Sequence, residues 1–435
     1  VAETERTLDI AVLGAGTVGS QVIRILQEQG EDLAARAGAR LQVVKVLVRN
    51  PDAPRDVPLD PGLLTTDAAE AIDGRDLVIE LIGGIEPART YVLRALRQGI
   101  SVVTGNKALL AAHGPELYEA AAASDADLYY EAAVAGAVPV VYGLRESLAG
   151  DRVTRVLGIV NGTTNFILDA MATEGASYAD ALARAQELGF AEADPTADVE
   201  GLDAAAKCAI LASLAFHTRV GIDDVAVEGI TSLTAEDMRE AAFFSRAVKL
   251  LAIAERRIGE DGHEGVSVRV HPALVPLDHP LASVNGAFNA VVVEGEAAGR
   301  LMFYGQGAGG APTASAVLSD VVAAASHRVH GGHAPRESVY AHLPILDPGS
   351  ARTRYQMRLR VEDRLGVLSE VANIFARHGV SIQSVHQRDG QGIGQAVIVI
   401  ATHVAREADL QAVAHALSQS PAVREVASTI RMEGD

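Results

Sequence analysis

Tryptophan is absent, and aromatic residues make up only 4% of the 435 residues. Base-stacking platforms and aromatic cages would have to be built from nine tyrosines and eight phenylalanines, which argues against both. Basic side chains are few: 37 against 56 acidic ones, a net charge of −19. That balance opposes binding to phosphate backbones and to anionic lipid, so neither nucleic acid nor a membrane surface is an expected partner. One cysteine, Cys208, allows no internal disulfide and no thiolate metal cluster, and it suits a reducing compartment. Long hydrophobic runs are missing too. The longest, Ala132–Leu144, falls short of the roughly 18 to 20 residues a spanning helix needs, and VAETERTLDI carries no basic segment leading into an apolar one. Signal and transmembrane readings fail together, and the cytoplasm is the expected location.

What is present is enough apolar material, 49% of residues, for two or three domains with real cores. The first 110 residues alternate short apolar strands (LDIAVLG, LQVVKVLV, DLVIELIG, SVVTG) with segments of helical period (SQVIRILQEQ, ARTYVLRALRQG). This alternation predicts a doubly wound α/β domain with a parallel sheet, over residues 1–145 and completed by 305–330. From about Val153 the strands RVLGIV, VSVRVHPALV and NAVVVEG stand between long Ala-rich helical stretches, predicting an α+β domain over 146–304. Residues 331–350 hold Gly, Pro and Ser in neither period and read as a linker. Beyond it, 351–435 follow a βαββαβ order with a DGQG turn, the ferredoxin-like class. Those 85 residues carry ten basic and nine acidic side chains, so the acidity belongs to the front of the chain.

Four constellations carry chemistry. Gly14-Ala-Gly16-Thr17-Val18-Gly19 lies between a strand and a helix, where glycines allow a tight turn, close approach of a pyrophosphate and close helix packing. The acidic residue that normally marks NAD preference is missing from the end of the second strand; Arg49 stands there, either a partner for a 2′-phosphate, favouring NADP, or a solvated loop residue. Asp203 and Lys207 share one face of a helix as its only charges among Ala, Leu, Ile, Cys, Ser and Phe. A surface salt bridge fits such a helix poorly, whereas a desolvated lysine beside a carboxylate is a usable general acid/base. Lys107, in Thr104-Gly105-Asn106-Lys107, follows a sheet strand at its carboxyl end, where ligands bind; a helix-start lysine in solvent is the plainer alternative. Asn161-Gly162-Thr163-Thr164 offers polar groups to a substrate or forms an ordinary Asn-Gly turn. Cys208, inside the apolar helix, reads as packing, and His327, His330 and His333 lack the carboxylates a zinc site would want.

These motifs, with TGNKALLA, YEAAVAGAVP, VNGTTNFIL, LGFAEADPTADVEGLDAAAK and YGQGAGGAPTASAV in order, resemble homoserine dehydrogenases that end in an ACT regulatory domain, over essentially the whole length. The resemblance implies a Rossmann-type first domain and NAD(P)-dependent interconversion of L-homoserine and L-aspartate 4-semialdehyde. It implies Lys207 as proton donor, Glu192 and Asp203 as substrate ligands, Asp198 as a supporting carboxylate, and Lys107 near nicotinamide and substrate. Gly162 and Thr163 would line the substrate pocket; Gly189 and Gly307 would touch the cofactor, and Ile82 and Gly83 join that cofactor set. YEAAVAGAVP resembles the family's monovalent cation loop, which implies sodium held at Glu131, Val134, Gly136 and Val138. Phe190 stands where the family often has tyrosine, so a hydroxyl contact is lost there. The Asp363-Arg-Leu-Gly366 turn resembles that of ACT domains and implies inhibition by L-threonine, or else a dimerisation module without a ligand; a homodimer or homotetramer is expected. Two other readings stay open: an acylating semialdehyde dehydrogenase using Cys208, and a nucleotide- and amino-acid-sensing regulatory protein without turnover.

Overall fold

The computed structural model describes residues 6–55, 57–390 and 394–434; part of the N-terminal stretch and of the DGQG turn lies outside them. The chain divides into two compact units: the first holds the described residues of Val1–Val156, Ala206–Asp224 and Phe288–His342, the second Leu157–Ala205, Val225–Ala287 and Leu343–Asp435. The division falls inside strand β7 (Val153–Ile159) and helix α10 (Leu202–Phe216).

In the first unit six strands run β1 (Thr7–Leu13), β2 (Arg40–Leu47), β3 (Leu64–Thr65), β4 (Leu77–Glu80), β5 (Ser101–Thr104) and β6 (Leu128–Tyr129), in the parallel order 3-2-1-4-5-6. β1 is apolar without alternation because both of its faces are covered: Ile10, Ala11, Val12 and Leu13 have no exposed surface. Helices α1 (Thr17–Glu28), α2 (Gly30–Ala37), α3 (Ala68–Ile72), α4 (Ala88–Arg97), α5 (Lys107–Ala123) and the short α6 (Val140–Tyr142) belong to this unit. So does α12 (Gly310–His330), which packs on α1 and contributes Ala314, Val317 and Val321 to the same core. The hairpin of β11 (Phe288–Gly295) and β12 (Gly299–Gln306) precedes it.

The second unit is built on a sheet ordered β9 (Arg246–Ile258), β10 (Glu264–Pro276), β17 (Val423–Met432), β13 (Arg352–Glu362), β15 (Gln395–Thr402), β14 (Ile382–Asp389), with β8 (Ala226–Val227) beside β10 and β16 (Ala405–Arg406) beside β13. Helices α7 (Gly162–Thr173) and α11 (Ala235–Phe243) lie on β9, joined by α8 (Tyr178–Glu187) and the single turn α9 (Thr196–Val199). Helices α13 (Val367–Arg377) and α14 (Glu407–Ser418) complete a βαββαβ module whose core includes Met357, Leu359, Phe375 and Ile398. Its final strand also pairs in parallel with β10, Ala273 opposite Arg431 and Leu274 opposite Met432.

Strand β9 was not among the strands expected from the sequence. RAVKLLAIAERRI is rich in Ala, Leu and Arg, which favour helix, and pairing along thirteen residues of β10 overrides that preference.

Candidate active site

The glycine loop lies where the strand order of the first sheet reverses, between the carboxyl ends of β1 and β4. Gly14 has φ +98°, and a side chain there would come within 2.7 Å of the Leu81 carbonyl oxygen. A methyl group on Gly19 would lie 2.0 Å from the Gly14 carbonyl oxygen, so α1 can start this close to the turn only on glycine. At Gly16 the corresponding space is empty for 4 Å, and no side chain caps α1. A ligand can therefore approach the backbone closely at Gly16, at the uncapped start of α1, where a pyrophosphate binds in folds of this kind. The residues fit a dinucleotide.

Glu80, which the sequence reading passed over, organises the neighbouring loops. It is fully buried at the end of β4, and its carboxylate accepts hydrogen bonds from the Ile82 N–H at 2.8 Å and the Thr104 hydroxyl at 2.6 Å. Burial pushes its carboxyl above the usual range against these bonds. One side chain therefore fixes both the Ile82-Gly83 loop and the turn before Lys107. Asn106 caps α5 by accepting from the Leu109 N–H at 3.1 Å and donates to the Gly84 carbonyl at 2.7 Å. Lys107 opens that helix with an exposed side chain, and Arg49 is exposed just beyond β2.

The segment Glu131–Val138 is buried apart from half-buried Ala137, with Ala135 and Gly136 both at positive φ, +58° and +61°. The Glu131 carbonyl accepts the Val134 N–H at 3.3 Å, that of Ala135 the Val138 N–H at 3.1 Å and that of Val138 the Val140 N–H at 2.8 Å. The Glu131 carboxylate does not face a ligand: it accepts the Val141 and Tyr142 N–H groups at 3.0 and 2.7 Å, and its own N–H donates to Asp320 at 2.8 Å. Burial raises both carboxyls, each to about 7. Gly307 packs its carbonyl against Gly136, and on its other side meets the fully buried amide of Asn289, neither of whose polar atoms has a partner. Each carbonyl keeps a second lone pair, and with two buried carboxyls and an orphaned amide nearby the donors are of the oxygen type a monovalent cation takes. Among the described residues no cluster of three His, Cys, Asp or Glu could hold a metal. A cavity of about 660 Å³ elsewhere in this unit, lined by Tyr118, Tyr130, Arg145 and His217, contains none of the residues discussed here as site candidates.

In the second unit the first turn of α7 gathers the polar residues. Asn161 is neither a turn residue nor a free donor: it caps α7, its amide oxygen accepting the Thr164 N–H at 2.8 Å. Its amide nitrogen donates to Asp198 at 2.7 Å and to Asp203 at 2.8 Å, drawing two of the predicted carboxylates to one point. Thr163 donates to the Phe190 carbonyl at 2.6 Å, which anchors the loop running from exposed Gly189 to exposed Glu192. The Phe190 ring stacks obliquely on Phe166, 4.9 Å between centroids, so this side chain serves packing. Gly162 lies against the Ala287 carbonyl, 2.7 Å from where a side chain would begin.

Asp203 and Lys207 stand one turn apart on α10 and are buried, 6% and 8% exposed, in a helix whose neighbours Ala204, Ala205, Ala206, Cys208 and Ala209 are buried as well. Cys208 is 1% exposed, a poor position for a nucleophile. The three clustered histidines go separate ways: His327 to the Tyr129 hydroxyl at 2.6 Å, His330 to the Ser326 carbonyl at 3.1 Å and His333 to Asp127 at 3.4 Å.

Family models match along the chain: homoserine dehydrogenase, NAD binding domain, over residues 14–131, homoserine dehydrogenase over 139–322, and ACT domain over 355–421. The homoserine dehydrogenase of Corynebacterium glutamicum is 55% identical over 428 residues, covering 98% of this chain and 96% of its own. The chain belongs to the homoserine dehydrogenase family. Members are oxidoreductases acting on a CH–OH group, and solved structures of homoserine dehydrogenases share the architecture. That from Thiobacillus denitrificans superposes with a TM-score of 0.91 at 40% identity, covering 99% of both chains. A hyperthermophilic archaeal homoserine dehydrogenase in complex with NADPH superposes at 0.61 with 27% identity, over 73% of this chain and 97% of its own. No helix among the described residues is long and apolar enough to cross a membrane.

Proposed function

We propose that this chain catalyses the NADP-dependent interconversion of L-homoserine and L-aspartate 4-semialdehyde in the cytoplasm, as a homodimer or homotetramer restrained by L-threonine at the C-terminal module. The observation that carries the catalytic part is the buried Asp203–Lys207 turn of α10, beside an asparagine that gathers Asp198 and Asp203. When bound, the nicotinamide supplies or accepts the hydride. Lys207 donates a proton to the aldehyde oxygen in reduction and withdraws it from the hydroxyl in oxidation, Asp203 orients that ammonium, and Lys107 adds positive charge where oxygen becomes anionic. Glu192 and Asp203 hold the substrate ammonium group, Asp198 supports Asp203 through Asn161, and Gly162 and Thr163 line the pocket. On the cofactor side, Gly14, Gly16, Thr17, Val18 and Gly19 take the pyrophosphate, with Ile82, Gly83, Lys107, Gly189 and Gly307 along the remainder. The carbonyls of Glu131, Val134, Gly136 and Val138 would hold sodium, and its charge would offset the buried carboxyls nearby.

Following NADPH formation at 340 nm with L-homoserine, with and without L-threonine, tests the reading directly. Turnover that threonine suppresses is expected; binding of homoserine and NADP without turnover would favour a sensor protein instead. Arg49, exposed beyond β2 in place of an acidic residue, is the expected 2′-phosphate partner. Arg49→Ala should raise the KM for NADPH roughly tenfold or more and leave that for NADH near its starting value, since one charge-assisted contact is worth about 1.5–3 kcal/mol. A wild-type preference for NADH would remove Arg49 from the argument.

A further inference from the structure

We propose that Lys249, which the reaction above does not use, is a positioning residue for substrate binding: its ammonium group ties the 284–286 loop to α7 and so fixes the first turn of that helix. The inference rests on the reading that this turn, with Asn161, Gly162 and Thr163, borders the substrate.

Lys249 lies in the middle of β9, 3% exposed, on the face where Leu251 and Ile253 meet helices. Apolar residues fill the neighbouring positions, and burial pushes the amine down to about 8, with Asp169 opposing the shift. Packing alone would be served by methionine. What the ammonium adds is three donors in one place. It donates to the Val284 carbonyl at 2.6 Å and lies 3.4 Å from the Asn165 amide oxygen and 3.5 Å from that of Asn285. Asn165, on α7, donates in turn to the Val284 and Gly286 carbonyls at 3.1 and 2.9 Å. One turn further along, Asp169 accepts the Gly286 N–H at 2.8 Å. A strand side chain and two side chains from one helix face therefore converge on three consecutive loop residues, and Lys249 is the member that bridges strand, helix and loop.

The loop passes directly to Ala287, whose carbonyl oxygen leaves no room for a side chain at Gly162. Where the loop sits therefore decides where α7 can begin. Asn161 and Thr163 follow that start, and with them the two carboxylates held by Asn161 and the Phe190 carbonyl held by Thr163. The α11 side of β9 presents its own charges, Asp237 and Glu240, already engaged with Arg358 and Arg388. The ammonium is thus committed to the loop and α7.

The test is steady-state kinetics on the full-length enzyme with Lys249→Met, alongside wild type and Asn161→Ala. Lys249→Met, folded by circular dichroism, should raise the KM for L-homoserine about tenfold, lower kcat less than threefold and leave the KM for NADP unchanged. A merely structural plug would not give that split. An unchanged homoserine KM in folded Lys249→Met, with a raised KM in Asn161→Ala, overturns the role of Lys249 while sparing the functional reading. Absence of homoserine turnover in wild type removes both. Should Lys249→Met fail to fold, Asp169→Ala cuts the Gly286 tie of the same loop: a raised homoserine KM supports the proposal, and an unchanged one overturns it.

Discussion

Lys207→Ala is expected to lower kcat/KM for L-homoserine by roughly a thousandfold or more, while the affinity for NADPH measured by fluorescence titration stays within about twofold. General acid–base groups are worth on the order of 10²–10⁴ in rate, and Lys207 holds one of only two charges on a buried helix. Alanine is the best helix former, so α10 keeps its shape and the loss reads as chemistry. Lys207→Arg separates charge from proton transfer: arginine keeps the cation but holds its proton too tightly to donate it, so activity should remain low. Near-wild-type turnover in either variant sinks the assignment. Cys208→Ser, at the next position of the same helix, should leave an alcohol dehydrogenase active and would abolish acylating chemistry.

The second large effect concerns stability. Asp237 is 2% exposed and does two jobs at the start of α11: it closes a reciprocal cap with Thr234, and it accepts a hydrogen bond from Arg358, itself 2% exposed on β13, at 2.8 Å. Glu236 pairs with the same guanidinium, Arg360 reaches Glu236 from the same strand, and Arg388 reaches Glu240 from β14. Removing Asp237 leaves the buried guanidinium with Glu236 alone, and breaking a buried pair costs up to about 3–5 kcal/mol. Asp237→Ala should therefore shift the first transition in a urea titration to markedly lower denaturant, and Asp237→Asn, which keeps part of the cap, should shift it less. A loss below about 1 kcal/mol would mean that Glu236 alone satisfies Arg358.

Much of this was legible beforehand because it is written locally. A glycine loop between strand and helix and two charges on an otherwise apolar helix carry their signals in short stretches, and the C-terminal module carries its signal in the order of consecutive strands and helices. The overlooked features depend on partners far away in sequence. Glu80 looked like the polar end of a strand, and its meaning comes from Thr104, which only parallel pairing brings alongside. Asn161 looked like a turn residue because Asn-Gly so often is one; its cap on α7 is local, but the carboxylates its amide nitrogen gathers, Asp198 and Asp203, lie some forty residues on. Lys249 was hidden in a segment whose composition favours helix. The family resemblance implies residue roles that no local pattern contains, since a backbone carbonyl proposed to hold a cation looks like any other.

The pairing of β17 with β10 joins strands about 150 residues apart in the chain. One edge of β10 is engaged by β9, and the other is covered piecewise by Ile345, β8 and β17. A ribosome must therefore release residues 423–432 before that edge can be sealed, about 150 residues after β10 has been made. Until then the stretch around Ala273 and Leu274 stays open on that side, the kind of edge that recruits other chains. Cutting the protein before β13 would leave that stretch of β10 unpaired.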